Sequence, residues 1–227
     1  MLNDFLSLIF PKVCYACGKS LFKHEDCICA YCHYHLPKTN FHLQAENPVI
    51  KLFWGRTNIH SASSLYLFNK GSKVQHLIHQ LKYKGKMEIG VSLGKYYGKE
   101  LKAAPLFSTA NIVIPVPLHK KKLKKRGYNQ SETFAQGLAE AMNAETSGEI
   151  LIRTHASTTQ TKKSRFERWK NVEEIFKVTS PEKIEGKHVL LVDDVVTTGS
   201  TLEACANKIL EVPGTKVSVA TIASTMY

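Results

Sequence analysis

Hydrophobic and polar positions change rhythm several times along this chain, and each rhythm predicts a different element. From Ser61 to Phe68 they alternate, Leu65 and Leu67 set against Ser64, Tyr66 and Phe68, which predicts a strand. Asn69-Lys70-Gly71 punctuates it as a turn. Ser72 can then cap a helix with Val74, Leu77, Ile78 and Leu81 on one face. Asn111–Val116 reads as an apolar strand closed by prolines, Ser131–Met142 as a helix and Glu149–Arg153 as a short strand. His188–Asp193 is a continuous apolar run, the pattern of a strand covered on both faces in a parallel sheet. Thr201–Leu210 follows as a helix and Val217–Ala223 as the next strand. This alternation of strands and helices predicts an open α/β sheet.

The remaining stretches lack such rhythm. Asn3–Phe10 fits one or two turns of amphipathic helix stopped by Pro11. Residues 14–35 are rich in Cys, His and Gly and cannot build a core without a staple. Residues 36–60 have no clear pattern, and residues 154–172, polar and charged, predict a long loop or broken helix. The 227 residues suffice for one sizeable core and a small module, with a boundary expected between residues 1–36 and 37–227. No apolar run is long enough to span a bilayer, and the start lacks a signal peptide's basic region and cleavage site, so a cytoplasmic location is expected. Cysteines there stay reduced, which favours metal ligation over disulfides. Hydrophobic residues at 43% and charged residues at 22% are ordinary for a globular protein, but the net charge of +12 is not. Residues 61–150 hold 14 Lys and Arg against 6 acidic residues. That field suits a polyanion, either a phosphate-rich small molecule or nucleic acid.

The most informative stretch is Val189 to Thr201. A buried strand ends at adjacent carboxylates, Asp193 and Asp194, and the turn Thr197-Thr198-Gly199-Ser200-Thr201 opens a helix. Ligands of parallel α/β sheets bind beyond the carboxyl ends of the strands. Free N–H groups at a helix start attract anions, Gly199 admits a phosphate close to the backbone, and the hydroxyls add donors. The carboxylates would repel a phosphate and suit sugar hydroxyls instead. A capped helix with acidic ends is the purely structural alternative. The ordered carboxylate pair, hydroxyls and glycine favour a ligand. The stretch resembles the 5-phosphoribosyl pyrophosphate (PRPP) motif of type I phosphoribosyltransferases. The resemblance implies that Asp193 and Asp194 hold the ribose 2- and 3-hydroxyls, and that Val196, Thr197, Thr198, Gly199, Ser200 and Thr201 surround the 5-phosphate. It also implies a type I phosphoribosyltransferase fold, an open, mainly parallel sheet with helices on both faces.

Three further stretches resemble a narrower group, the ComF family of competence-associated phosphoribosyltransferase-like proteins. They are Leu81-Lys82-Tyr83-Lys84-Gly85; Pro115-Val116-Pro117-Leu118 with Lys125-Arg126-Gly127-Tyr128-Asn129-Gln130; and Thr159-Gln160-Thr161 with Arg165, Glu167-Arg168 and Asn171. Lys162-Lys163 departs from the Gly-Leu-like pair of the family and makes the third stretch more basic. The resemblance makes residues 115–117, at the end of the first core strand and opposite the cradle, the pyrophosphate loop. Lys82, Pro115, Val116, Pro117, Arg126, Tyr128 and Asn129 would surround the leaving group, Arg being suited to bidentate phosphate contact. Arg165 and Arg168 would lie on a mobile catalytic loop, closing over an oxocarbenium-like centre as pyrophosphate departs. Mg²⁺ is expected on the pyrophosphate and ribose oxygens. A hood over the acceptor is expected within residues 37–105, where Trp54, Tyr66, Phe68 and Tyr83 are either stacking surfaces or core.

Cys14-x-x-Cys17 and Cys29-x-x-Cys32 have the paired spacing of a structural Zn²⁺ site, predicting a zinc-ribbon module over residues 1–36. Cys27 competes for the second pair, and His33 and His35 are alternative ligands. Cys205 reads as a small core residue. Two functions remain open. One is Mg²⁺-dependent phosphoribosyl transfer from PRPP to an unidentified acceptor. The other is a competence adaptor that binds single-stranded DNA or RNA, or a helicase-like partner, with a regulatory or vestigial PRPP site. The ComF resemblance implies a role in DNA uptake under either.

Overall fold

The computed structural model describes residues 11–154 and 175–225. Five parallel strands form the main sheet: β1 (Ser61–Leu67), β2 (Ile112–Pro115), β3 (Glu145–Thr146), β6 (His188–Val196) and β7 (Lys216–Ser224). Their spatial order is β1-β7-β6-β2-β3. A separate antiparallel ribbon pairs β4 (Leu151–Arg153) with β5 (Phe176–Val178), so the expected strand at 149–153 lies outside the main sheet. The helices are α1 (Ala30–His35), α2 (Pro48–Lys51), α3 (Lys73–Tyr83), α4 (Met87–Ala103), α5 (Lys120–Arg126), α6 (Gln130–Met142) and α7 (Ser200–Leu210). None of the described helices is long and apolar enough to cross a membrane. The expected helix at Asn3–Phe10 and most of the predicted loop at 154–172 lie outside the described residues.

Both faces of the sheet are covered. Leu190 and Val192 of β6 join one core with Leu77 of α3, Leu93 of α4 and Leu138 of α6. Val189 and Leu191 join the other with Leu202 and Ile209 of α7 and with Phe53. The apolar run in β6 is therefore continuous because neither face meets water. β1 is different. Its alternating serines are buried too, Ser63 and Ser64 being fully inaccessible. Their polarity is absorbed by bonds: Tyr97 donates to Ser63 Oγ at 2.6 Å, and Ser61 Oγ lies 2.7 Å from Ser218 Oγ. β1 precedes β2 and pairs with β7, so residues 115–117 end the second strand of the chain, not the first. Much of the segment expected to contain the hood thus belongs to this sheet and its covering layer.

α4 and α6 pack backbone to backbone. Gly90, Gly94 and Gly98 recur one helical turn apart on α4 and face α6, at Thr133, Gly137 and Ala141 respectively. A Cβ on Gly137 would meet Lys95 N at 2.8 Å and Gly94 Cα at 2.9 Å, closer than a carbon can approach. This contact fixes where α6 begins, and that start lies at the candidate site.

The cysteine module shares the first core. Cys14, Cys27 and Cys32 are buried in one cluster with Leu65, Leu77 and Leu93. Tyr15 donates to Glu88 Oε1 at 2.6 Å and Lys38 pairs with Glu100 at 3.6 Å, tying the module and the chain after it to α4.

Candidate ligand site at the strand ends

β6 does not end at Asp193 and Asp194 as the sequence suggested: it stays paired with β7 as far as Val196, but its alternation slips at the two carboxylates. Val192 and Val195 pack on the same side, whereas Val196 packs on the other. The slip re-aims the two carboxylates. Asp194 is buried and receives an ion pair from Lys82 Nζ at 2.8 Å. Asp193 Oδ1 accepts from Ser131 Oγ and from the Asp194 N–H, each at 2.8 Å. Burial first, and then the charge of Asp194, push the Asp193 carboxyl up to about 7.

The turn after Val196 is a cradle for an anion. Gly199 takes φ +77, where a side chain would be strained, and a Cβ would also meet Leu52 and Phe53 at 3.3 Å. Among the described residues no side chain caps α7, which leaves its first N–H groups directed out of the turn. Thr197, Thr198, Ser200 and Thr201 are exposed around it, Thr198 Oγ1 lying 3.1 Å from Ser200 Oγ. Arg56 braces the cradle by donating to Thr198 O at 3.3 Å and pairing with Glu203 on α7.

Residues 126–131 join this cradle to its neighbours. Arg126 donates to Gln130 Oε1 at 2.6 Å and lies over the Tyr83 ring. The Tyr128 hydroxyl donates to Leu81 O. Asn129 Nδ2 donates to Val116 O at 3.0 Å, while its Oδ1 caps α6 through the Ser131 N–H. Ser131 reaches Asp193. β2 lies beside β6, with Pro115 in register with Val192, so residues 115–117 end next to the carboxylates. Lys82, Tyr83, Gly85, Lys122, Lys125 and Arg126 line an adjoining open cleft. All seven residues of α5 lack burial, and six of them are basic.

The structure therefore brings Lys82, residues 115–117, Arg126, Tyr128, Asn129 and the 193–201 segment together. Arg165 and Arg168 lie outside the described residues. Of the four aromatics, Tyr66 is buried, Phe68 packs against the core, and Trp54 and Tyr83 are exposed. Sequence reading missed Ser131 and Arg56. Ser131 carried one local signal, its position two residues after an N-capping Asn.

The cysteine module forms a second constellation. The sulfurs of Cys14, Cys17, Cys29 and Cys32 all lie within 4.8 Å of one another, and Cys17 and Cys29 are 3.8 Å apart. A tetrahedron with bonds of about 2.3 Å has edges of about 3.8 Å, so the four thiols fit one zinc ion. Cys27 points elsewhere, donating to Glu88 O at 3.4 Å, and burial raises its thiol to about 11. The two histidines are not part of the cluster.

The parallel sheet, covered on both faces and ending in an acidic pair and an uncapped glycine turn, defines a type I phosphoribosyltransferase fold with an N-terminal module of zinc-ribbon type. A family model described as a phosphoribosyl transferase domain matches residues 128–226. The DNA utilization protein YhgH of Shigella flexneri is 29% identical over 202 residues, 87% of this chain and 84% of that protein. Competence protein ComFC of Bacillus subtilis is 28% identical over 207 residues, 88% of this chain and 78% of that protein. The solved allosteric regulatory enzyme of purine biosynthesis aligns with a TM-score of 0.41 at 26% identity, over 58% of this chain and 26% of that one. The chain is thus similar along most of its length to DNA utilization and competence proteins, and a phosphoribosyl transferase domain matches its C-terminal part.

Proposed function

We propose that this chain binds PRPP together with Mg²⁺ and transfers its phosphoribosyl group to an acceptor, in the handling of incoming DNA. The observation that carries this reading is the juxtaposition of the Asp193–Asp194 pair with the uncapped 197–201 turn. One end suits a diol and the other a phosphate, and a 5-phosphorylated ribose presents both. Asp193 and Asp194 would accept from the ribose hydroxyls, and the turn would donate to the 5-phosphate. Lys82, Arg126 and the backbone of residues 115–117 border the side where pyrophosphate would leave. Arg165 and Arg168 are assigned the closing loop that excludes water there. The carboxylate pair supplies hard oxygen donors suited to Mg²⁺, which, when bound with PRPP, would neutralise leaving-group charge. The names of the YhgH and ComFC relatives support a role in DNA utilization and competence, and the reduced, zinc-fitting cysteines support a cytoplasmic setting.

Calorimetry with PRPP and Mg²⁺ tests the reading. Asp193→Asn or Asp194→Asn removes a charge-assisted hydrogen bond while keeping shape, so affinity should fall about 10- to 150-fold. Thr198→Val should weaken the phosphate contact. A wild type that does not bind millimolar PRPP overturns the proposal. Variants that bind as wild type does would move the cradle elsewhere.

The exposed basic face of α5, beside Tyr83, favours a second reading, in which single-stranded DNA or RNA binds there and PRPP only regulates. A helicase-like partner fits the same adaptor role. Pyrophosphate release from PRPP, measured with nucleic acid or nucleobases as acceptors, separates transfer from regulation.

A further inference from the structure

Lys82 stands where the two halves of the site meet. It lies in the last turn of α3, and its side chain lines the basic cleft with Lys122, Lys125 and Arg126. Its ammonium nevertheless reaches Asp194 Oδ1 at 2.8 Å. The pair is largely out of water, with side-chain exposures of 22% for Lys82 and 11% for Asp194. The helix end that carries Lys82 is anchored, since Tyr128 donates to the Leu81 carbonyl and Gly85 turns the chain away at φ +70. What can move is the side chain alone: four methylenes and a compact charge.

Two demands therefore converge on Asp194. A ribose hydroxyl needs its carboxylate, and an ammonium already holds it. We propose that Lys82 is a displaceable counter-ion. In the free protein it neutralises the acidic pair and keeps divalent cations off it. When the ribose takes Asp194, the released ammonium turns into the cleft and meets the pyrophosphate. This deepens the PRPP reading above and rests on it. The acidic pair would then bind Mg²⁺ only as the PRPP complex, which makes metal entry conditional on ligand entry.

Mn²⁺ alone, followed by electron paramagnetic resonance, tests the counter-ion in zinc-loaded protein. Wild type should take up no Mn²⁺ at the pair below millimolar concentration. Lys82→Met should gain one site, and Lys82→Met with Asp194→Asn should lose it again. A Lys82→Met protein that binds no more Mn²⁺ than wild type overturns the proposal, as does a wild type that already binds it there. A second arm compares PRPP with ribose 5-phosphate by calorimetry. Loss of the delivered ammonium should shrink the preference for PRPP about tenfold or more. Equal weakening of both ligands would reduce Lys82 to a structural ion pair and overturn the delivery. Lys82→Gln, uncharged but able to bond Asp194, repeats both arms should the methionine variant misfold. A wild type that binds neither ribose ligand refutes the PRPP reading, and the Mn²⁺ arm still decides on Lys82.

Discussion

Asp193 carries two opposed demands on one carboxyl group. Burial and the adjacent Asp194 raise it from 3.8 to about 7, while Ser131 and the Asp194 N–H pull it back. Between those values the folded protein holds a proton that the unfolded chain has lost. The stability contributed is thus complete below pH about 4 and is lost as pH rises through about 7. Ligand binding runs the other way, because a ribose hydroxyl bonds best to the ionised carboxylate. PRPP affinity should therefore climb from pH about 5.5 to 8 while this stability term declines. Asp193→Asn should flatten both trends, which calorimetry and urea unfolding across that range would measure. A wild-type affinity that is level across the range would count against a ligand role for this carboxyl. His188 opposes the stability trend. Burial depresses its imidazole to about 4, so its contribution is present above pH 6.5 and lost as pH falls through about 4. It is shared by wild type and variant and cancels in their difference. The acidic pair was legible in the sequence because strand, carboxylates and turn are contiguous. The grip of Lys82 on Asp194 and of Arg56 on Thr198 was not, since each joins residues more than a hundred positions apart.

Elements position these groups, and the α4–α6 contact decides where α6 starts. Gly137→Ala would force apart two backbones that now touch. Overpacking of this kind costs about 1–3 kcal/mol. Urea unfolding should show that loss, and PRPP affinity should fall with it, because Asn129 and Ser131 ride on the displaced helix end. An unchanged unfolding midpoint would mean that the helices separate at no cost. One helix start was readable from its cap, Ser72, which accepts from an N–H of the first turn; α6 was placed at Ser131, one residue late, and its cap Asn129 went unread. The strand at Ser61–Leu67 was readable as a strand but not as a buried one. Tyr97 and Ser218 supply the bonds that let its serines be dry. The separation of β4 and β5 from the main sheet had no local signature at all.

Across the whole molecule, the cysteine module and the sheet share a core, so metal and fold should be coupled. Purified protein should contain about one zinc per chain, Cys29→Ser should lose it and Cys27→Ser should keep it. Chelation should lower the thermal midpoint of the entire chain in one transition, because Cys14 and Cys32 pack in one cluster with Leu65 and Leu77. Two separate transitions would show that the module melts on its own. The same connectivity sets a schedule for biosynthesis. Residues 37–39 bridge one edge of β1, but its only strand neighbour among the described residues is β7, the last strand of the sheet. At ribosomal rates of about 5–20 residues per second, the first strand waits roughly ten to thirty seconds for its partner to emerge. During that interval the edge of β1 that β7 will cover hangs from the ribosome with its backbone unsatisfied, a ready substrate for holding chaperones. A premature stop codon ahead of Lys216 would make that wait permanent, so truncated products should be cleared or aggregate rather than persist as partial folds.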